Sequence, residues 1–239
     1  MESRVTAAPN PYIIGVTISS VLLLLLAGLV VWIRWHRQQR VKQLQKRGQT
    51  TEALVNRQVQ FWAYRNNAMH IAATMFKYDH NKIFEVDGVL ITQRALIALE
   101  VKSIAAELII GKGNEKNWFK VVNGEKIPIK SPVVQNDNHL NHIVTLTGMK
   151  VPMVSLVVFD AEAVPELELS DLPGHVLVIR SDQIQQTLDA INSFLLPKIT
   201  AHEVQNLYFK LMDHRSTSRE DQKLLVTYAK EFTEKTFTI

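Results

Sequence analysis

Residues 95–102 read Ala95-Leu96-Ile97-Ala98-Leu99-Glu100-Val101-Lys102, an apolar run that ends in Glu-x-Lys. Side chains along a strand alternate faces, so Glu100 and Lys102 share one face while Leu99 and Val101 take the other. Charged groups are rarely buried without a partner, and charge inside such a run calls for a physical reason. Upstream, Ile83 to Ile91 forms a second apolar run, separated from the first by Thr92-Gln93-Arg94. That spacing predicts a hairpin. With the turn at 92–94, Asp87 lies opposite Glu100, about 4.5–5.5 Å away, where two like charges repel. A divalent cation between them reverses the sign of that term, and Mg²⁺ suits a site with one or two carboxylates and several waters. A slip of one residue puts the carboxylates on opposite faces. The alternative reading of Asp87, Glu100 and Lys102 is a solvated ion-pair patch.

The chain has 239 residues, a formal charge of +4 and no Cys. Disulfide staples and thiolate metal sites are excluded, and the modest charge favours an anionic partner only weakly. The segment 12–33 carries no charged residue and is rich in Leu, Val and Ile. As a helix it is long enough to cross a bilayer core of roughly 30 Å, and it has no polar face. A cleavable signal peptide fits less well, since the run is too long and no small-residue cleavage site follows. Glu2 and Arg4 precede it; Arg34, Arg37, Arg40, Lys42, Lys46 and Arg47 follow. That asymmetry puts the N-terminus outside and the bulk of the chain in the cytoplasm, with Trp32 and Trp35 at the interface. The expectation is a single-pass protein of the inner (plasma) membrane of a prokaryote, meeting the lipid bilayer through residues 12–33. The basic run reads as a juxtamembrane anchor, with nucleic-acid contact as the alternative.

Residues 38–75 read as helical, with a break at Gly48 and a second start near Glu52 capped by Thr50 or Thr51. Short strands follow at 107–110, 118–122 and 126–129, with turns at 111–114 and at Asn123-Gly124. Residues 135–147 read as helix, and 151–159 and 175–179 as buried strands. Helices at 182–195, 201–212 and 219–234 close the chain, with Ser181 and Ser218 as caps for the first and third. Strands with helices before, between and after them indicate an α/β fold with a mixed central sheet flanked by helices, preceded by one transmembrane helix. The divisions are an extracytoplasmic tail at 1–11, the span at 12–33, a basic linker at 34–47 and a domain core at 48–160. The remainder, 161–239, completes that domain or forms a helical subdomain.

Several ordered elements resemble the nuclease-related domain (NERD) family of the PD-(D/E)xK nuclease superfamily. They are Gly48-Gln49-Thr50-Thr51-Glu52, Val86-Asp87-Gly88-Val89-Leu90-Ile91 and Leu99-Glu100-Val101-Lys102. Asn117-Trp118-Phe119 falls in the hairpin region, and Pro132-Val133-Val134-Gln135-Asn136 leads into a helix with His139. The likeness covers residues 48–158. Two positions depart from the family pattern: Thr51 stands where a second Gly is usual, and Ser103 begins a stretch that is usually Asn-x-x-Gly. The resemblance implies a restriction-endonuclease-like core. It implies Asp87 and Glu100 as ligands of Mg²⁺ or Mn²⁺, with the carbonyl of Val101 completing the set, and Lys102 serving the attacking water. It implies Glu52 beside the metal and Gln135 bonded to substrate or to Lys102. An exposed helix Glu and a helix-start residue satisfying loop backbone are the plain readings of Glu52 and Gln135.

The expected function is a membrane-anchored, cytosol-facing, metal-dependent deoxyribonuclease, with DNA as partner and RNA possible in its place. The alternative is an inactive nucleic-acid-binding or protein-interaction module tethered at the membrane. His139 and His142 lack a third ligand at zinc-like spacing and read as surface or groove histidines. Lys112, Lys116, Lys120, Lys126 and Lys130 crowd one stretch; they either track phosphates or solvate a hairpin. Asp160 reads as a strand-end turn residue.

Overall fold

The computed structural model describes residues 11–79, 82–113, 115–149 and 151–236. The chain divides into two compact units, Met1–Arg47 and Gly48–Ile239. The tail expected before the apolar run lies almost wholly outside the described residues. So do the side chains of the expected span up to residue 25. Among the described residues no helix is long and apolar enough to cross a membrane.

Helix α1 spans Pro11–Arg65. Two expectations about it are corrected. First, it passes through Gly48 without a break: an isolated helical Gly costs about 1 kcal/mol, which its neighbours can carry. Thr51 therefore does not cap a helix; its hydroxyl donates to Asp160 instead, 3.1 Å away. Second, the helix ends ten residues earlier than residue 75. Asn67 adopts φ 51°, the left-handed conformation that Asn tolerates and that ends helices. The backbone then turns into a strand.

That strand, β1 (Met69–Asp79), is followed by β2 (Lys82–Ile91) and β3 (Leu96–Lys102). After α2 (Pro132–Thr147) come β7 (Met153–Phe159) and β9 (Val176–Arg180), with a two-residue strand, β10 (Arg215–Ser216), near the C-terminus. These form a six-stranded sheet in the order β10-β1-β2-β3-β7-β9. The β3–β7 and β7–β9 pairs are parallel and the rest antiparallel, so the sheet is mixed. The β2–β3 register is the expected one, with Gly88 opposite Leu99 and Ile91 opposite Leu96. Thr92 closes the turn, its hydroxyl accepting from the amides of Arg94 and Ala95.

The strands expected at 107–129 do not join this sheet. β4 (Leu108–Lys112), β5 (Asn117–Val122) and β6 (Glu125–Lys130) form a second sheet with β8 (Glu166–Ser170), in the order β6-β5-β4-β8. Its inner face carries Ile109 and Trp118, fully buried against Val133, Val157 and Phe159. Gly111 is required there, because a Cβ would sit 2.4 Å from the Trp118 ring.

Helices α3 (Ile184–Phe194), α4 (Ala201–Asp213) and α5 (Arg219–Thr236) complete the chain. One face of the central sheet packs on α1 residues Val55, Val59 and Trp62 and on α3 residues Leu188 and Ile191. The Trp62 indole donates to Asp189 at 2.8 Å. The other face packs on Leu140 and Ile143 of α2 and on Val204, Leu207 and Leu211 of α4. Ser131 caps α2, Pro132 occupies its first turn and Gly148 ends it at φ 62°. Asn136, fully buried, ties α2 to the sheet by donating to the Ala98 carbonyl and the Ser155 hydroxyl. Ser181 is not the cap it was expected to be; it accepts from the amide of Ala161. Ser218 does accept from the amide of Glu220 at the start of α5.

Candidate active site

Strand β2 pairs with β1 beyond Gly88 toward its N-terminus, but its pairing with β3 stops at Gly88–Leu99. The two strands part there, and the fork holds the charged residues. Asp87 lies one residue past the last pair. Its carboxylate Oδ2 accepts from the Val101 amide at 2.7 Å, so a side chain satisfies an N–H that has left the β2–β3 ladder. Val101 is thus tied to Asp87 through its amide.

Glu100 is 1% exposed. Its Oε1 lies 2.5 Å from Lys102 Nζ. Its Oε2 lies 3.3 Å from His139 Nε2 but has no hydrogen bond among the described residues. Lys102 also donates to Gln135 Oε1 at 2.9 Å. Gln135 and His139 are one helical turn apart and so share a face of α2. Both therefore belong to the same corner as the Glu-x-Lys pair. His139 was read as a surface or groove residue; the missed signal was its four-residue spacing from Gln135.

Glu52 and Asn56 repeat that logic on α1. Asn56 Nδ2 donates to the Asp87 carbonyl at 2.7 Å and to the Glu52 carbonyl at 3.0 Å. With both amide hydrogens committed, its Oδ1 is the acceptor facing His70 Nε2 at 2.9 Å. Burial lowers the His70 pKa to about 4, so the ring is neutral and donates. Gly88 lies between these groups: a Cβ there would sit 2.8 Å from Asn56 Oδ1 and 2.7 Å from Leu99 Cδ1.

Four carboxylates feel one another at this corner. Burial, then the Glu100 charge, raises Asp87 from 3.8 to about 7, against the Val101 amide and Lys102, with Glu52 adding to the rise. Burial, then Glu85 and Glu100, raises Glu52. Burial raises Glu85, with His139 opposing and Glu100 reinforcing. Burial would raise Glu100 as well, but the His139 contact and the Lys102 charge outweigh it and hold Glu100 below its ordinary value. Glu85 was not among the expected residues, although it is two positions before Asp87 and so on the same face of β2. Asp160 is a turn residue, as expected, with Oδ1 accepting from the Glu162 amide and its own amide donating to the Lys102 carbonyl.

Among the described residues no group of three or more acidic or His side chains is already arranged to hold a metal. The donor types nevertheless suit a hard cation. Asp87 and Glu100 are acidic oxygens that repel each other, and Glu100 keeps a buried oxygen without a hydrogen bond.

Residues 47–160 match the family model described as NERD, nuclease-related domain, which supports the resemblance over somewhat under half of the chain. No curated protein and no solved structure matches.

Proposed function

We propose that this chain is a nuclease that hydrolyses DNA phosphodiester bonds with the help of Mg²⁺ or Mn²⁺, held at a membrane by residues 12–33. The observation that carries the reading is the fork between β2 and β3. There Asp87 and Glu100 lie close enough to feel each other's charge, Lys102 pairs with Glu100, and Gln135 of α2 accepts from the Lys102 ammonium. The nuclease-related match spans all of these residues. Asp87 and Glu100 are the residues that would hold the cation. When bound, it would supply Lewis acidity at the scissile phosphate and favour ionisation of a water.

The protein's own contribution is positional. Lys102 places a positive charge beside the phosphate, and Gln135 restricts where that charge sits. Glu100, kept ionised by Lys102 and His139, offers an acceptor for a water proton's hydrogen bond. Asn56 fixes the Asp87 backbone from beneath. Membrane attachment rests on the uncharged run at 12–33, whose described side chains include Leu26, Leu29, Val30, Val31, Trp32 and Ile33, 38–67% exposed. The charge asymmetry around that run supports a cytoplasmic domain.

The test is plasmid DNA incubated with the full chain in nonionic detergent and Mn²⁺. Wild type cuts; Glu100→Gln and Lys102→Ala do not. Cutting at equal rates by all three would overturn the assignment. Retention of DNA without cutting would favour the tethering module instead.

A further inference from the structure

The second sheet leaves one face open, and the register of its strands sorts that face by charge. Phe119 lies opposite Pro128 of β6 and Ile110 of β4, and Ile110 lies opposite Glu168 of β8. The neighbouring row runs Lys126, Val121, Leu108, Glu166. Paired residues share a face, so Phe119, Lys126, Pro128 and Lys130 all project from the side opposite buried Trp118. Phe119 is 38% exposed on that face. On this face β6 carries Lys126 and Lys130 and β8 carries Glu166 and Glu168. Lys112 of β4 lies opposite Ser170 and is paired with Asp171. An anionic chain laid across the sheet is therefore drawn to the β5–β6 hairpin more than to the β8 edge.

We propose that this face is a track for single-stranded DNA that leads toward the β2–β3 fork, with Phe119 as a base-stacking platform and Lys126 and Lys130 as phosphate contacts. The occupant follows from chemistry. A flat aromatic ring beside ammonium groups suits unpaired bases on a phosphodiester backbone, because stacking needs an exposed base face. A duplex hides those faces. A further protein strand is disfavoured, because Pro128 on edge strand β6 lacks the N–H that strand addition would use. Continuity with the fork is covalent: β6 ends at Lys130, Ser131 caps α2, and Gln135 in the first turns of that helix holds Lys102. The Ser131 amide donates to the Lys116 carbonyl at 2.9 Å, which brings the start of β5 to the same end of the sheet. Lys126 and Lys130 are four strand positions apart, about 13 Å, a span that covers several atoms of one backbone rather than a single phosphate.

The inference rests on the reading of the chain as acting on nucleic acid, and its test is separable from cutting. Fluorescence anisotropy with a labelled single-stranded oligonucleotide and its duplex is run on the full chain in nonionic detergent with EDTA, so nothing is hydrolysed. Wild type binds the single strand more tightly. Phe119→Ala weakens single-strand binding at least about five-fold and duplex binding far less. Lys126→Gln weakens both and flattens the salt dependence by about one phosphate contact. Phe209→Ala, which removes a more exposed aromatic from α4, leaves binding unchanged. Wild-type affinity in Phe119→Ala, or no single-strand binding by wild type, overturns the track. Loss of binding in Phe119→Ala by a chain that never cuts keeps the track and discards the nuclease. Cutting by wild type with unaltered binding in Phe119→Ala does the reverse.

Discussion

Thr51 and Ser103 touch. Their hydroxyl oxygens lie 3.3 Å apart, and both donate to the same carboxylate oxygen of Asp160, at 3.1 and 3.3 Å. These are the two positions at which the chain departs from the nuclease-related pattern, and they are 52 residues apart in sequence. The departures are therefore one structural change: a hydroxyl on α1 and a hydroxyl after β3 bound jointly to the end of β7. Thr51 precedes Glu52 and Ser103 follows Lys102, so the cluster ties α1 to the end of β3 beside the site. A double-mutant cycle of Thr51→Ala and Ser103→Ala should give a coupling energy of about 0.5–2 kcal/mol in urea unfolding. Strict additivity would mean that the contact carries no energy.

Asp87 makes stability depend on pH in a defined direction. Its folded pKa of about 7 lies above the ordinary 3.8, so the folded state binds more protons in that interval. Its contribution is fully present below about pH 4 and is lost as the pH rises through about 7. Asp87→Asn keeps an acceptor for the Val101 amide and removes the charge. In EDTA it should raise Tm by several degrees at pH 8 and leave it nearly unchanged at pH 4. A variant less stable than wild type at pH 8 would contradict this sign.

Two glycines predict opposite outcomes for the same substitution. Gly48 is in α1 with nothing within 4 Å of an added Cβ, so Gly48→Ala should stabilise by about 0.5–1 kcal/mol. Gly88 faces Asn56 Oδ1 and Leu99 Cδ1 at under 3 Å, so Gly88→Ala should destabilise by about 1–3 kcal/mol. Chemical denaturation of the two variants measures both, and equal effects would refute the contrast.

Asn56 is 7% exposed and satisfies three groups at once. Asn56→Ala should cost about 3 kcal/mol, with a Tm fall of roughly 10 °C. Asn56→Asp should not rescue it, because a carboxylate cannot donate to the Asp87 and Glu52 carbonyls. Full stability of either variant would place the Asp87 backbone under other control.

How far the chain could be read in advance depended on the range of the forces involved. The β2–β3 register was legible because a three-residue turn and two flanking apolar runs leave one pairing that buries both. The helix read at 135–147 begins three residues earlier, at Pro132, because Ser131 caps it and Pro fits its first turn. β1 was not legible. Met69, Ala72, Ala73 and Met75 are residues at home in helices, and the strand exists because β2 offers it a partner along nearly its whole length. The local stop signal is Asn66-Asn67, with Asn67 in the left-handed conformation. The split into two sheets was hidden for a similar reason: β8, whose Glu166 and Glu168 alternate with Leu167 and Leu169, completes the second sheet from more than fifty residues beyond β4. At the site, Glu52, Asp87, Glu100, Lys102 and Gln135 are named by motif, whereas Glu85, Asn56 and His139 are defined by which neighbour a face meets. Single-residue spacing carried that information only once the facing element was known.

The early parting of β2 and β3 also bears on how far the central sheet can grow. One more step of pairing would set Asp87 directly against Glu100 in an interior with little water, and the Asp87 side chain already occupies the Val101 amide that such pairing would recruit. Repulsion between two carboxylates thus acts as a length stop, and the open wedge beyond it is space that the chain keeps by refusing to zip. Removing both charges would be expected to close that wedge as well as to disarm it, so a doubly neutral variant would lose the cleft along with its ligands.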